Sequence, residues 1–178
     1  PSLNYDVIVV DAYSTGHLRS LLRAPEGMSK AISVGPMNEQ SRSILATIRN
    51  PEITRFYIVT LPEELPIEES MELASFLREF TSNEPAILVN KFLPIPQADQ
   101  FADSEFDQFL NMKNRHQQLA EKKLNDHDFR TFVRLDYIFA ESSRKIIEGL
   151  CANLKTSAGA KPSIDQYDNL EAITDKEN

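Results

Sequence analysis

The stretch Asp6-Val7-Ile8-Val9-Val10-Asp11 decides the predicted fold, because it is a continuous run of β-branched residues. Such runs are typical of strands that are buried on both faces, as in a parallel sheet covered by helices. Two similar runs follow, Arg55-Phe56-Tyr57-Ile58-Val59-Thr60 and Ala86-Ile87-Leu88-Val89-Asn90, and a weaker one spans residues 129–135. The sequence therefore predicts four strands.

Segments with helical periodicity separate these runs. They cover residues 38–48, 67–80, 104–125 and 140–154. Alternating strands and helices predict an α/β fold with a doubly wound, mostly parallel sheet and right-handed crossovers. The segment 104–125 is a long polar helix, and its second half is expected to be solvated.

Composition restricts the class of protein. The chain has 178 residues, of which 41% are hydrophobic, and its formal charge is −8. An acidic chain without a basic cluster is a poor candidate for nucleic-acid binding, because such binding replaces counterions with Lys and Arg. No apolar run approaches the roughly 20 residues that span a bilayer, and no signal peptide is visible.

The single cysteine, Cys151, excludes an intrachain disulfide framework. We expect it to be a core thiol on the last helix, and we expect a reducing, cytoplasmic compartment. Residues 1–157 are predicted to form one domain. Residues 158–178, which are acidic and poor in large apolar groups, are predicted to be a flexible, disordered tail.

Polar residues end three of the predicted strands: Asp11, Thr60 and Asn90. In open parallel sheets, ligands bind beyond the carboxyl ends of the strands. Asp11 is followed by Gly16, and a strand-end carboxylate with a nearby glycine can hold Mg²⁺ and approach a γ-phosphate. The same two residues could instead be an N-cap and a turn glycine.

Three blocks of sequence resemble the ArsA-like ATPases, a family that includes arsenite-pump ATPases and ATPases that deliver tail-anchored membrane proteins. Residues 5–11 with Thr15-Gly16-His17-Leu18-Arg19 are similar to its second switch region. Residues 60–70 and 87–94 are similar to the two blocks that follow in the family. The resemblance implies a partial P-loop NTPase fold of the SIMIBI type.

The resemblance also implies roles for individual residues. Asp11 would be the switch aspartate near Mg²⁺, which makes it both the metal-site residue and a catalytic residue. Thr15, Gly16 and His17 would belong to the loop that senses the γ-phosphate of ATP. Asn90 would bind adenine, because its amide offers both a donor and an acceptor. ATP and Mg²⁺ are therefore the expected cofactors.

The chain also departs from the family pattern. Residues 12–14 read Ala-Tyr-Ser where the family usually has Thr-Ala-Pro, and none of the five glycines forms a P-loop motif. The segment 25–36 is expected to be a short connection, as in short bacterial members. The resemblance thus implies the C-terminal half of an ATPase, whether as a truncated chain, a split gene or a degenerate subunit.

Several functional hypotheses follow from that resemblance. The complete protein would couple ATP hydrolysis to a partner or membrane-delivery cycle, as a dimer with a possible membrane-associated client. The isolated chain is predicted not to hydrolyse ATP. Alternatively, it is a non-catalytic half-ATPase subunit that docks on a P-loop-bearing partner, either an N-terminal half or a separate subunit. A third possibility is a doubly wound domain that has lost nucleotide binding.

Overall fold

A three-stranded parallel sheet is the centre of the fold in the computed structural model. The structure describes residues 5–12, 15–94, 104–127 and 132–157. The strands are β1 (Tyr57–Thr60), β2 (Ala86–Phe92) and β3 (Phe132–Asp136), in the spatial order β1-β2-β3. The helices are α1 (Thr15–Ala31), α2 (Pro36–Arg49), α3 (Glu64–Thr81), α4 (Glu105–Asp126) and α5 (Ser143–Ser157). The predicted α/β class with a parallel sheet is confirmed.

The chain forms two compact units, which we call the helical unit and the sheet unit. The helical unit comprises residues 1–56 and 72–84, and the sheet unit comprises residues 57–71 and 85–178. Helix α3 belongs to the sheet unit in its first half and to the helical unit in its second half. The predicted tail, 158–178, lies outside the described residues.

The register of the sheet explains which strand residues are buried. Ile58 pairs with Ile87, and Thr60 pairs with Val89, so these four side chains share one face, on which all four are buried. On β3 the buried residues are Val133 and Leu135, which the register places on the opposite face. The buried residues of β1 and β2 therefore lie on one face of the sheet and those of β3 on the other, as expected when helices cover both faces.

Helix α4 begins at a capping box. The backbone N–H of Asp107 donates to Ser104 Oγ at 3.2 Å, and the backbone N–H of Ser104 donates to Asp107 Oδ2 at 3.0 Å. These bonds satisfy N–H groups that have no partner within the helix. The second half of the helix was predicted to be solvated, but one side of it is buried. Its buried side chains are Gln117, Ala120 and Leu124.

Helix α1 corrects the expectation of a short connection over residues 25–36. The helix continues through Pro25 to Ala31, although a proline inside a helix removes one backbone hydrogen bond. Gly35, with φ of 108°, then sets up the start of α2 at Pro36. The side chain of Asn38 joins the two helices, because its Nδ2 donates to the carbonyls of Ser29 at 2.9 Å and Ile32 at 2.6 Å.

The predicted first strand, residues 6–11, is wrong for the described chain: these residues form neither strand nor helix. Val7, Ile8, Val9 and Val10 are all exposed, and Val9 is 88% exposed. A β-branched run indicates a high propensity for a strand, but a strand also needs a neighbouring strand with which to form backbone hydrogen bonds. Among the described residues no strand pairs with this segment.

The expectation for Cys151 is also corrected. Cys151 lies on α5 as predicted, but the residue is exposed rather than in the core. Asn153, rather than Cys151, joins α5 to the sheet. Its Oδ1 accepts a hydrogen bond from the backbone N–H of Asp136 at 3.2 Å. A Cβ on Gly149 would lie 3.0 Å from a side-chain carbon of Ile138, so this position has little room.

Candidate functional site at the carboxyl edge of the sheet

The carboxyl ends of the three strands carry polar side chains within the sheet unit. Thr60 is the last residue of β1, Asn90 lies near the end of β2, and Asp136 is the last residue of β3. Thr60 pairs with Val89, one residue before Asn90, and Phe92 pairs with Asp136. Because the strands are parallel, these residues all lie at one edge, where α/β sheets bind ligands.

An irregularity in β2 sets the position of Asn90. The register between β2 and β3 shifts between Val89 and Phe92, which marks a bulge. Within it, Lys91 has φ of 57°, a left-handed conformation that is uncommon for a residue with a side chain. Bulges change the direction in which nearby side chains point, and strained backbone of this kind concentrates at functional sites. The bulge and the left-handed Lys91 therefore distinguish the carboxyl end of β2 from an ordinary strand end.

The side-chain amide of Asn90 makes one hydrogen bond among the described residues, with the backbone of the next residue. Asn90 Oδ1 accepts a hydrogen bond from the backbone N–H of Lys91 at 2.9 Å. The carbonyl oxygen has a second lone pair, and the amide NH₂ group provides two donors. No described residue accepts a hydrogen bond from that NH₂ group, and Asn90 is half-buried. The side chain is thus held in one orientation and can still donate to a ligand.

Thr60 adds a second polar group to the edge. Its side chain is buried, and Thr60 Oγ1 has no hydrogen-bond partner within the described part of the chain. A buried hydroxyl without a partner is uncommon in folded proteins, because it loses its bonds to water. Within the described chain, the Thr60 hydroxyl therefore neither donates nor accepts a hydrogen bond.

Helix α4 fixes the chain that leaves β2. Gln117 Oε1 accepts a hydrogen bond from the backbone N–H of Leu93 at 2.6 Å, and Gln117 Nε2 donates to the carbonyl of the same residue at 3.0 Å. Gln117 itself is buried. Two bonds from one side chain define both the position and the direction of the backbone. This contact lies three residues beyond Asn90.

The other predicted site residues lie in the helical unit. Asp11 is exposed and precedes α1, and Thr15, Gly16 and His17 form the first turn of that helix rather than a loop. His17 lines a shallow hollow of about 310 Å³ with Leu18, Ser20 and Leu21. Tyr13 and Ser14 lie outside the described residues. Asn90 belongs to the sheet unit, so the predicted site residues are divided between the two units.

The described residues contain no group of three or more His, Cys, Asp or Glu side chains that could hold a metal ion. A lone aspartate such as Asp11 is compatible with Mg²⁺ only where other oxygens complete the shell, because Mg²⁺ keeps waters and takes oxygen ligands from phosphates. In the described ranges, no helix combines the length and the apolar character that crossing a membrane requires.

Comparison with known proteins identifies the family. Residues 31–142 match the anion-transporting ATPase family, which is more than half of the chain. This chain belongs to the anion-transporting ATPase family. The predicted resemblance to ArsA-like ATPases is thereby confirmed. The match includes β1, β2 and β3, with Thr60, Asn90 and Asp136, but it begins after Asp11 and the first turn of α1.

Individual relatives agree with this assignment. The chain is 31% identical over 90 residues to ATPase BagA of Mycobacterium tuberculosis, covering 51% of this chain and 26% of that protein. It is 28% identical over 125 residues to an ATPase ASNA1 homolog of Entamoeba histolytica, covering 52% of this chain and 38% of the relative. The chain therefore matches only about a quarter to two fifths of the length of these relatives.

Sequence reasoning missed three features of the edge. Asp136 was not predicted as a site residue, although it directly follows the last residue of the predicted strand, Leu135, as Asn90 follows Val89. The left-handed Lys91 had no signal in the sequence, because that conformation is usually adopted by glycine or asparagine. Thr60 was noted as a strand-end residue, but its unsatisfied hydroxyl became visible only from the burial of the strand.

Proposed function

We propose that this chain supplies the base-binding edge of an ATPase whose phosphate-binding loop comes from another segment or subunit. The observation that supports it best is Asn90, held by the backbone N–H of Lys91 with its NH₂ group available, at the carboxyl edge of a sheet in the anion-transporting ATPase family. The 178 residues contain no P-loop motif. The polyphosphate therefore requires donors from elsewhere.

The roles proposed for single residues follow the chemistry of ATP. The NH₂ group of Asn90 donates to a ring nitrogen of adenine, and its carbonyl oxygen accepts from the exocyclic amine. Asp11 binds Mg²⁺ through water, while Thr15, Gly16 and His17 respond to the γ-phosphate. Bound Mg²⁺ would supply charge neutralisation at the phosphates. The assembled protein, a cytoplasmic dimer, couples ATP hydrolysis to a partner or to delivery of a membrane-associated client.

The test of this proposal is base selectivity in the protein expressed from its complete gene, with any P-loop-bearing subunit present. Asn90→Ala should raise the Kd for ATP about thirtyfold and reduce the preference for ATP over GTP, since two hydrogen bonds to the base are lost and each costs about 1 kcal/mol. Asn111→Ala, an exposed asparagine on α4, is the matched control. Unchanged affinity and selectivity in Asn90→Ala would refute the adenine role.

A second candidate function is a non-catalytic subunit that docks on a P-loop-bearing partner. The exposed segment Val7–Val10 favours it, because an apolar β-branched run in water is a ready strand for addition to another sheet. Size-exclusion chromatography of the chain with and without the partner tests this. Co-elution that is lost in Val9→Asp, without ATP turnover by the complex, supports the docking subunit over the ATPase.

A further inference from the structure

A buried side chain of α4, Gln117, bonds the backbone of Leu93 twice. Other residues already attach α4 to the rest of its own chain: Lys123 Nζ bonds Glu68 Oε1 at 2.6 Å, and Leu124 is buried. A buried amide gives up its hydrogen bonds to water, so an apolar residue at position 117 would dock the helix at least as well. The bonds to Leu93 therefore point to a function of Gln117 other than docking α4.

The backbone that Gln117 bonds lies two residues after Lys91, whose φ of 57° is a left-handed conformation. This conformation costs free energy in a residue with a Cβ, and it persists only where the surrounding structure fixes the chain. Before Lys91, β2 is paired with both β1 and β3. After it, the carbonyl of Phe92 accepts a hydrogen bond from the backbone N–H of Tyr137 at 2.7 Å. Gln117 then holds both backbone groups of Leu93, so its bonds oppose the relaxation of Lys91.

The left-handed backbone of Lys91 in turn sets the direction of the Asn90 amide. The backbone N–H of Lys91 donates to Asn90 Oδ1 at 2.9 Å, which leaves the NH₂ group for a ligand. If Lys91 returned to a negative φ, the peptide group between the two residues would rotate, and its N–H would no longer point at Oδ1. Adenine carries an amine where guanine carries a carbonyl oxygen, so the direction of this amide decides which base it fits.

We infer that Gln117 is a positioning residue for base selection. Its two bonds to Leu93 keep Lys91 left-handed, and that backbone holds the Asn90 amide in the direction that fits adenine. Gln117 acts through the backbone rather than by contact with the nucleotide. This inference rests on the proposed adenine role of Asn90, and it adds that the choice between bases depends on a residue of α4.

Nucleotide binding to the complete protein, with any P-loop-bearing subunit present, tests the inference. Gln117→Leu should lower the preference for ATP over GTP at least fivefold. Lys123→Met is the matched control, because it removes the bonds from α4 to Glu64 and Glu68 but no bond to β2, and it should change the preference less than twofold. Equal losses in both variants would show a general loosening of α4 and would overturn the inference. Binding is measured where circular dichroism shows each variant folded, and Gln117→Met replaces Gln117→Leu if the latter does not fold.

A second substitution tests the route through Lys91. Glycine adopts the left-handed conformation without strain, so the bonds from Gln117 are not needed to hold it there. The double variant Gln117→Leu/Lys91→Gly should therefore show a preference for ATP within twofold of that of Lys91→Gly alone. A double variant that is as unselective as Gln117→Leu overturns the inference.

Hydrogen exchange without nucleotide gives a readout that does not depend on binding. The Lys91 amide should exchange at least tenfold faster in Gln117→Leu than in wild type, because its bond to Asn90 Oδ1 is lost, and Lys123→Met should change this rate less than twofold. Equal rates in wild type and Gln117→Leu overturn the inference.

The variant Asn90→Ala separates failure of this inference from failure of the proposed function. If Asn90→Ala lowers the preference for ATP and Gln117→Leu does not, the adenine site stands and Gln117 has no part in it. If neither variant lowers the preference, the adenine role of Asn90 is wrong, and the inference is overturned with it.

Discussion

Replacing Gln117 by leucine should destabilise the sheet unit, because Gln117 is the side chain that fixes the exit of β2. Leucine keeps the approximate volume but removes both hydrogen bonds to Leu93, at 2.6 and 3.0 Å. Each buried backbone group left without a partner costs about 1–3 kcal/mol. Leu93 is half-buried, so water can reach it in part, and we expect a total near the lower limit, about 2–3 kcal/mol.

The assay is chemical and thermal unfolding followed by circular dichroism, since the chain has no tryptophan. A loss of this size should lower the Tm by roughly 4–12 °C in a protein of this length. Gln118→Leu is the matched control, because Gln118 is exposed and surface changes are usually within about 0.5 kcal/mol. Equal midpoints for wild type and Gln117→Leu would refute the reasoning that this contact fixes the edge.

Three further predictions concern charge, backbone strain and activity. Bonds to Glu68 and Glu64 raise the pKa of Lys123 above its usual 10.5, so the stability it provides is complete below about pH 10.5 and is lost as the pH rises through the folded-state pKa. Unfolding midpoints of Lys123→Met and wild type should therefore differ at pH 8 and converge above that pKa, while Lys122→Met shows little effect at either pH. Lys91→Gly should stabilise the chain by about 1 kcal/mol in urea unfolding, because glycine adopts φ of 57° without strain, and a loss of stability would contradict this. The isolated chain should show no ATP hydrolysis in a phosphate-release assay, and robust turnover that Asp11→Asn abolishes would falsify this.

The strands that the sequence predicted correctly are those with neighbours in the described chain. The runs 55–60 and 86–90 contain β1 and the start of β2, and the run 129–135 contains all of β3 except Asp136. The run 6–11 is the richest in β-branched residues but forms no strand, because propensity cannot supply the neighbouring strand that a sheet requires. Local pattern therefore identified candidate strands but did not decide which of them would pair.

Helix α1 is an element that the local sequence pattern did not predict. The sequence analysis predicted a short connection over residues 25–36, and a proline inside a helix removes a donor and crowds the preceding turn. The structure continues the helix to Ala31, and contacts within the helical unit compensate, including the stacking of Arg19 and Arg23 on the Phe76 ring at 5.4 and 5.1 Å. These contacts join residues more than 50 positions apart, so no local pattern could indicate them.

The candidate site could be predicted in part. Asn90 was identified from its place after an apolar run and from the family resemblance, and the structure places it at the expected edge of the sheet. The bulge, the left-handed Lys91 and the unsatisfied hydroxyl of Thr60 depend on the register between strands, which the sequence does not specify. The roles of Asp11, Thr15, Gly16 and His17 stay predictions.

Photolabelling with 2-azido-ATP, followed by mass spectrometry, tests most directly that this edge binds the base of ATP. In the complete protein, the label should attach to the peptide that contains residues 86–93, should be displaced by excess ATP, and should be lost in Asn90→Ala but kept in Asn111→Ala. Labelling confined to peptides outside the carboxyl edge of the sheet, or labelling unaffected by Asn90→Ala, would contradict the central claim.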